Sequence, residues 1–292
     1  MRVTNKMMAD NVIAQLFRQR ELMVKTQENI TTGKRVNRPS DDPTEISSIL
    51  SHRTTISKLD QYNENISKAK LHINTADDVM GMVSDLLRDA KEIAYDTNPA
   101  MRDEMAEQVA SIREQVLQMA NYQIDGKYIF SGDATLTAPY DNTTWNYNGD
   151  LAGAPKDYII GENIKVDITA DGRSIFGPDG TNVFKMLNDL ETALTTVPAV
   201  SADITAQISN LDSAIDNITE IRSRNAGVYQ RLEATENHYN YFKVNVQDML
   251  SNAEDADIAE AIINMQVQQT TYESTLASTS RIIQKSLIDF LG

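Results

Sequence analysis

Residues 59–94, LDQYNENISKAKLHINTADDVMGMVSDLLRDAKEIA, decide the fold of this chain because their small and apolar residues recur at alternating steps of three and four. The repeat runs without a missed position through Leu59, Tyr62, Ile66, Ala69, Ile73, Ala76, Met80, Val83, Leu87, Ala90 and Ala94. On a helix this spacing forms one narrow stripe, which is typical of long helices that pack side by side. The segment therefore predicts a helical rod.

Two further segments carry the same spacing. One contains Met105, Val109, Ile112, Val116 and Met119, and we expect its helix to end at Gly126. The other starts with Ile204, Ile208, Leu211, Ile215 and Ile218 and extends toward Leu250 with weaker positions. The fold class that follows is mainly α, a long antiparallel helical bundle or coiled coil formed by the N- and C-terminal halves. We assign the rod domain to residues 43–126 and 181–251.

Residues 127–180 lack helical periodicity and are crowded with turn sequences such as DGRSIFGPDG. Ile164, Val166 and Ile168 alternate as in a half-buried strand. We predict a small β-rich insertion that forms an outer β domain. Tyr140, Trp145 and Tyr147 could bind a sugar or a partner, but in a small sheet we expect them to pack against one another.

Composition excludes several classes of protein. The net charge of −15 would repel a nucleic acid backbone. Cysteine is absent, so neither disulfides nor thiolate metal sites can form. No run of 18 uncharged apolar residues is present for a membrane-inserted helix, and the N-terminal residues lack the unbroken apolar segment of a secretory signal. We expect binding of neither nucleic acid nor membrane, and any export would use another route.

Both ends of the chain carry amphipathic stripes. We assign residues 1–42 and 252–292 to terminal assembly helices that are disordered or loosely packed in the monomer, together with a linker. One hypothesis is that the two terminal helices pair inside one molecule. The other is that they stay loose until neighbouring copies of the chain cover their stripes. The interface residues predicted on this basis are Ile13, Leu16, Phe17, Met23, Ile30, Ile262, Leu276, Ile283, Leu287 and Phe290.

The segment 29–46, NITTGKRVNRPSDDPTEI, separates the first terminal helix from the rod. Gly33 is typical of a helix end, and Pro39 favours an extended segment. Asp42 and Pro43 are typical of the cap and first position of the next helix. Its three basic residues are few on an acidic chain, so we expect a solvated or subunit-facing linker. The linker residues are Gly33, Lys34, Arg35, Arg38, Pro39, Asp42 and Pro43.

Catalytic chemistry is poorly represented. The three histidines, His52, His72 and His238, show no paired metal-ligand spacing. The adjacent pairs Asp41–Asp42 and Asp77–Asp78 suit a helix cap and a solvated helix face better than acid–base catalysis. We expect no enzyme activity, no cofactor and no metal.

The linker, with its RPSDDP sequence, resembles the hook-associated members of the bacterial flagellin superfamily. DGKYIFSG at 125–132 and TNVFKMLNDLETAL at 181–194 are similar to the entry and return of the outer domain in the hook-associated protein 3 family. RSRNAGVYQRLE at 222–233 resembles the superfamily's descending core helix, and SLIDFLG its C-terminus. The resemblance covers the whole chain in order.

This resemblance implies a structural protein of bacterial motility, secreted unfolded by flagellar type III export and located in the flagellum at the hook–filament junction. There it would form an annular layer with copies of itself, sit on hook-associated protein 1 and template flagellin polymerisation. An export chaperone would cover the C-terminal helix. A short filament flagellin and, with less support, a cytoplasmic coiled-coil scaffold stay open as alternatives.

Overall fold

A computed structural model describes residues 2–95, 99–149, 156–168, 171–196 and 201–291. The α-helices in these ranges are α1 Arg2–Thr32, α2 Glu45–Tyr95, α3 Arg102–Ala120, α4 Gly172–Phe176, α5 Val183–Thr195, α6 Ser201–Glu254 and α7 Ile258–Leu291. Two antiparallel hairpins pair β1 Gln123–Ile124 with β2 Lys127–Tyr128 and β3 Lys156–Gly161 with β4 Ile164–Ile168. The mainly α fold with a small β-rich insertion is confirmed.

The chain forms two compact units. Unit 1 contains residues 1–58 and 241–292, and unit 2 contains residues 59–240. The three-part division by residue range that the sequence indicates stays a prediction.

In unit 2, the stripe on α2 forms the centre of the core. Every position of the stripe is buried except Tyr62, which is half-buried. From Ala76 to Ala94 the stripe packs with buried residues of α3, α5 and α6, among them Val109, Leu187 and Leu211. This burial confirms that the three-and-four spacing marks a packed helical seam rather than a solvated helix.

Ion pairs along the rod show that α2 and α6 run antiparallel. Lys70 pairs with Glu236 at 2.9 Å, Asp77 accepts two hydrogen bonds from Arg222 at 2.8 and 3.0 Å, and Lys91 pairs with Asp212. As the residue number rises on α2, the partner's number falls on α6. The register therefore matches the antiparallel bundle predicted from the sequence.

The helix α3 ends at Ala120, so the prediction that it extends to Gly126 was wrong. Asp125 and Gly126 instead have φ of 50° and 74° and form the two-residue loop between β1 and β2. A tight hairpin loop of this kind needs positive φ at both positions, which glycine adopts without strain. The Asp-Gly pair is thus a hairpin signal rather than a helix stop.

The aromatic residues of the insertion pack inside unit 2. Tyr140 and Tyr147 are buried, and the Tyr140 ring lies edge-on to Phe176 and Phe184, with centroids 5.6 and 4.7 Å apart. Trp145 is half-buried, with the Arg113 guanidinium 5.1 Å from its ring. The packing role expected from the sequence is confirmed.

The β3–β4 hairpin lies on the rod. Val166 and Ile168 are buried with Ile66 and Leu232, whereas Ile164 is exposed, so only two of the three alternating residues face the helices. The Tyr239 hydroxyl donates a 2.8 Å hydrogen bond to the carbonyl of Ile160. Among the described residues, no helix combines the length and apolarity needed to cross a membrane.

We predict that Leu87→Ala lowers the free energy of unfolding by about 2–5 kcal/mol, because it leaves a cavity in the fully buried α2 seam. Leu71→Ala is the matched control. Leu71 lies on the same helix but is exposed, so the change should stay within about 0.5 kcal/mol. Chemical denaturation followed by circular dichroism measures both, and equal losses would contradict the assignment of the seam.

Candidate assembly surface

In unit 1, the terminal helices α1 and α7 pack along each other. Near one end, the amide of Ala256 donates a 2.9 Å hydrogen bond to the carbonyl of Gly33. Farther along, Val12 and Gln15 line a groove together with Thr275 and Thr279. The helices are therefore antiparallel, and the ends of the chain pair within one molecule.

The contact between α1 and α7 is only partly buried. Half-buried positions recur on α1 at 12, 16, 19, 23, 26 and 30, and positions on α7 at 261, 265, 268, 272, 275 and 279 follow the same three-and-four spacing. We call these two rows the terminal seam. Several of its members are polar, including Gln19, Gln268 and Thr275. Of the twelve positions in the two rows, Thr279 is buried and the others are half-buried. The terminal seam is thus more polar and more open than the α2 seam of unit 2.

The predicted interface residues divide into three groups. Leu16, Met23 and Ile30 are half-buried members of the terminal seam. A second group is exposed: Ile13, Phe17, Ile262 and Leu276. The helix α7 includes Ile283, Leu287 and Phe290, whose side chains lie outside the described residues. The structure therefore assigns different surroundings to residues that the sequence placed in one stripe.

Other exposed apolar side chains on the terminal helices were missed from the sequence. Met7 and Leu22 lie on α1, and Ile263 and Val267 lie on α7. They lie outside the stripes predicted for the terminal helices, so the helical periodicity of the sequence did not indicate them. Their exposure becomes evident only when the terminal seam shows which face of each helix is covered. Together with Phe17, which is 65% exposed, they leave several large apolar side chains of this helix pair uncovered.

The linker after α1 begins at Gly33. Gly33 has φ of 72°, and its amide donates a 2.8 Å hydrogen bond to Asn29, as in a glycine that ends a helix. The chain then pairs with the segment between α6 and α7: the Arg35 amide donates to the carbonyl of Glu254 at 2.7 Å. The Arg35 guanidinium donates to the carbonyl of Ala253 at 2.8 Å. Two linkers distant in sequence are thereby joined.

Glu254 lies at the centre of this junction. Its side chain is 2% exposed and accepts hydrogen bonds from Arg53 at 2.5 and 3.1 Å, while Lys34 forms a second ion pair. Burial raises the pKa of this carboxyl, but the hydrogen bonds from Arg53 and Lys34 outweigh burial and lower the pKa below its usual value. Glu254 is therefore a buried carboxylate held by two partly exposed cations. The sequence analysis did not identify it.

Asp42 organises the other end of the linker. Its carboxylate accepts hydrogen bonds from the Thr44 hydroxyl at 2.7 Å and from the amide of Glu45 at 3.2 Å, which caps the start of α2. The Thr44 and Glu45 bonds, with a further one from Arg35, lower the pKa of Asp42 to about 2. Pro43 follows this cap, as Pro commonly does at the first position of a helix.

The remaining linker side chains are held by neighbouring residues. Arg38 pairs with Glu28 at 3.2 Å and remains mostly exposed, and its amide donates to the Asp41 carboxylate at 2.9 Å. Pro39 lies between Arg38 and Asp41 in the sequence. Among the residues that the structure describes, no group of three or more His, Asp or Glu side chains could hold a metal ion. The linker is thus built of hydrogen bonds and ion pairs that join chain segments.

Comparison with known proteins places these features in a family. Residues 3–135 match the bacterial flagellin N-terminal helical region, and residues 187–291 match the bacterial flagellin C-terminal helical region, so together they cover most of the chain. The chain belongs to the bacterial flagellin superfamily. Both matched regions include a terminal helix and part of the rod.

Individual members of the superfamily resemble the chain over nearly its full length. Flagellar hook-associated protein 3 of Escherichia coli (strain K12) is 25% identical, over 94% of this chain and 95% of the relative. The Salmonella typhimurium protein of that name is 24% identical over the same shares. Flagellin of Bacillus subtilis is 26% identical over 89% of each chain.

Solved structures share the fold. A protein of Vibrio parahaemolyticus designated a flagellar hook-associated protein has a TM-score of 0.67 at 20% identity, covering 74% of this chain and 100% of the other. Hook-associated protein 3 of Legionella pneumophila has a TM-score of 0.62 at 13% identity, covering 70% and 98%. Superfamily membership makes the chain a structural protein of the flagellum that associates with other flagellar components.

We predict that Glu254→Gln lowers the free energy of unfolding by about 1.5–3 kcal/mol at pH 7, because it removes the charge from the hydrogen bonds to Arg53 and Lys34. Since the folded pKa of Glu254 is lowered, its stabilisation is complete above the unfolded value of about 4.3 and disappears as pH falls through the folded value. The difference in the free energy of unfolding between wild type and Glu254→Gln should therefore shrink as the pH falls below about 4.3. Thermal unfolding measured across the acid range tests this.

The matched control for Glu254→Gln is Glu220→Gln. Glu220 forms an ion pair with Arg224 on the exposed surface of α6, four residues apart. An exposed pair of this kind contributes little to stability, so the control should differ from wild type by less than about 0.5 kcal/mol. A Glu254→Gln effect that is independent of pH would show that the carboxylate charge does not stabilise the junction.

Proposed function

We propose that this chain is an adaptor at the hook–filament junction of the bacterial flagellum. In this role it would sit on hook-associated protein 1, form an annular layer with copies of itself and present a surface on which flagellin polymerises. Two hook-associated protein 3 relatives align over nearly the whole chain, which supports this role. The observation that carries the mechanism is the apolar surface left exposed on the paired helices α1 and α7.

Assembly would proceed by packing of the terminal helices. On α1, the exposed residues Ile13, Phe17 and Val24 follow a helical stripe beside the terminal seam. On α7, Ile262 and Leu276 are exposed beside its half of the seam. Fully burying one such side chain contributes about 1.5–3 kcal/mol, so several per subunit would stabilise a layer of neighbouring subunits. Ile283, Leu287 and Phe290 are included in this proposed interface.

The open terminal seam suits regulated assembly. Because its contacts are polar and half-buried, we infer that the helix pair is only marginally stable before neighbouring subunits cover it. Loosely packed ends would allow the chain to pass through type III export and would delay polymerisation until the junction is reached. An export chaperone would cover the α7 stripe before secretion. We propose a purely structural role, without catalysis and without a cofactor.

The linkers would act as the spoke between terminal helices and rod. Residues 33–36 pair with the segment around Glu254, so the chain after α1 and the chain before α7 are held together. Arg38 is mostly exposed and could reach a neighbouring subunit. We therefore propose that this junction fixes where the terminal helices emerge.

A short filament flagellin is the second candidate, because flagellin of Bacillus subtilis is also a relative over most of the chain. Copy number and position separate the two functions. Quantitative mass spectrometry of purified hook–filament assemblies, with immunogold labelling, should find a trace of this protein relative to flagellin, confined to the hook end. Labelling along the whole filament would support the flagellin function. Absence from the assemblies would reject both.

We predict that Phe17→Ser reduces incorporation into the junction several-fold while leaving folding and secretion unchanged. Phe17 is exposed in the isolated chain, so its replacement should change stability by less than about 0.5 kcal/mol. Incorporation is measured by immunogold counting, and secretion by the amount of protein in the culture medium.

The control for Phe17→Ser is Leu136→Ser, which removes an apolar side chain that is still more exposed, 82% against 65%, from a loop outside the terminal helices. It should assemble like wild type. Normal incorporation of the Phe17 variant would show that the exposed α1 stripe is not an assembly contact.

A further inference from the structure

The chain contains one Asn-Gly dipeptide, Asn148–Gly149, in the insertion between β2 and β3. Asn148 is exposed and lies outside the helices and strands. When glycine follows asparagine, the main-chain nitrogen of the glycine reaches the side-chain carbonyl carbon of the asparagine easily, because no Cβ obstructs the approach. No part of the proposed function uses this dipeptide. It is therefore a candidate site of chemical modification.

The reacting groups of Asn148 and Gly149 are not held by hydrogen bonds. In the part of the chain that the structure describes, no residue bonds to the Asn148 side chain or to the Gly149 amide. The main-chain amide of Asn148, by contrast, donates a 2.8 Å hydrogen bond to the carbonyl of Pro139. The chain is thus fixed just before the reacting pair, whereas the attacking nitrogen and the side-chain carbonyl are free.

Two neighbouring asparagines, Asn142 and Asn146, differ from Asn148 in this respect. Both are exposed and lie outside the helices and strands. The amide that follows Asn142, that of Thr143, donates a 2.8 Å hydrogen bond to the carboxylate of the residue before Asn142. The amide that follows Asn146, that of Tyr147, donates a 2.9 Å hydrogen bond to the Asp179 carboxylate. Each of these nitrogens would have to lose its hydrogen bond before it could attack.

Close packing explains why glycine stands at position 149. Gly149 is buried, and a Cβ at this position would lie 2.9 Å from the carbonyl oxygen of Ser131 and closer still to the Tyr147 hydroxyl. The fold therefore requires glycine here, and the reactivity of an Asn-Gly pair accompanies that requirement. The same packing leaves no room for a longer main chain between residues 148 and 149.

We propose that Asn148 converts spontaneously to aspartate and isoaspartate in the folded chain. The Gly149 nitrogen gives up its proton and forms a bond to Cγ of Asn148. The bond from Cγ to the side-chain nitrogen breaks, and that nitrogen leaves as ammonia with the proton. Water then opens the cyclic imide. Addition of water at Cγ breaks the new bond and gives aspartate, whereas addition at the main-chain carbonyl carbon breaks the original peptide bond and gives isoaspartate.

Both products change the insertion. Each adds a negative charge to a chain whose net charge is already −15. In isoaspartate the main chain runs through Cγ and is one atom longer, so Gly149 is displaced from its close contacts with Ser131 and Tyr147. The reaction needs only water, so its extent rises with the time since synthesis. The modification therefore loosens the insertion as a subunit ages.

Incubation of the purified full chain at neutral pH, followed by peptide mapping with mass spectrometry, tests the proposal. Digestion in heavy-oxygen water marks any conversion that occurs during sample preparation. Asn148 should convert at least about tenfold faster than Asn142 and Asn146, which corresponds to a barrier lower by about 1.4 kcal/mol. The rate should rise with pH, because the attacking nitrogen must be deprotonated. Equal rates at the three asparagines would overturn the proposal.

The same mapping in denaturant separates the effect of the fold from that of the local sequence. Unfolding releases the amides of Thr143 and Tyr147, so Asn142 and Asn146 should convert several-fold faster than in the folded chain. The reacting groups of Asn148 are already free, so unfolding should change its rate by less than about tenfold. A larger suppression of Asn148 conversion by folding would show that the fold blocks the attack, and would overturn the proposal.

Asn148→Gln is the matched variant, because its longer side chain would have to close a larger ring and reacts far more slowly. An isoaspartyl methyltransferase, which methylates isoaspartate, should label the aged wild-type chain more strongly than the aged variant. Equal labelling would place the isoaspartate elsewhere and overturn the proposal. Thermal unfolding tests the consequence: ageing should destabilise the wild-type chain more than Asn148→Gln, and equal changes would reject the loosening of the insertion.

Discussion

The architecture depends on one constraint: a narrow apolar stripe on a long helix must be covered by another helix. Unit 2 meets this constraint within one molecule. Nearly all members of the α2 stripe are buried: Ala76 to Ala94 pack with α3, α5 and α6, and Ile66 to Ile73 pack with the β3–β4 hairpin and Leu232 of α6. Unit 1 meets it only in part, because α1 and α7 cover one face of each other and leave apolar side chains such as Phe17 and Ile263 exposed.

The difference between the two units originates in the composition of their seams. The α2 seam consists almost entirely of aliphatic residues and alanine, which pack closely and exclude water. The terminal seam contains Gln19, Gln268, Thr275 and Thr279, whose polar atoms limit how much apolar area two helices can bury. The same helical period therefore builds a stable interior in one unit and an incomplete interface in the other. An incomplete interface suits a subunit that is to be completed by its neighbours.

The junction between the terminal helices and the neighbouring segments of α2 and α6 relies on a different kind of interaction. Gly33 ends α1 in a conformation that favours glycine, and the chain that follows pairs with the residues after α6. Glu254 is buried between these segments, and its charge is paired with Arg53 and Lys34. A buried carboxylate with two specific partners fixes the geometry of the junction, and desolvation offsets part of its electrostatic gain.

The sequence by itself determined the helical class, the antiparallel rod, the existence of a small β-rich insertion and the family, because these follow from local periodicity, turn residues and short motifs. It misjudged the end of α3, since Asp125 and Gly126 suit a hairpin loop as well as a helix stop. Only the tertiary structure separated Leu16 from Phe17, although they are neighbours on one helix. It also revealed Glu254 and the exposed Val267. Burial and pairing of these side chains depend on segments up to about two hundred residues away, and no local pattern records which face such a segment will cover.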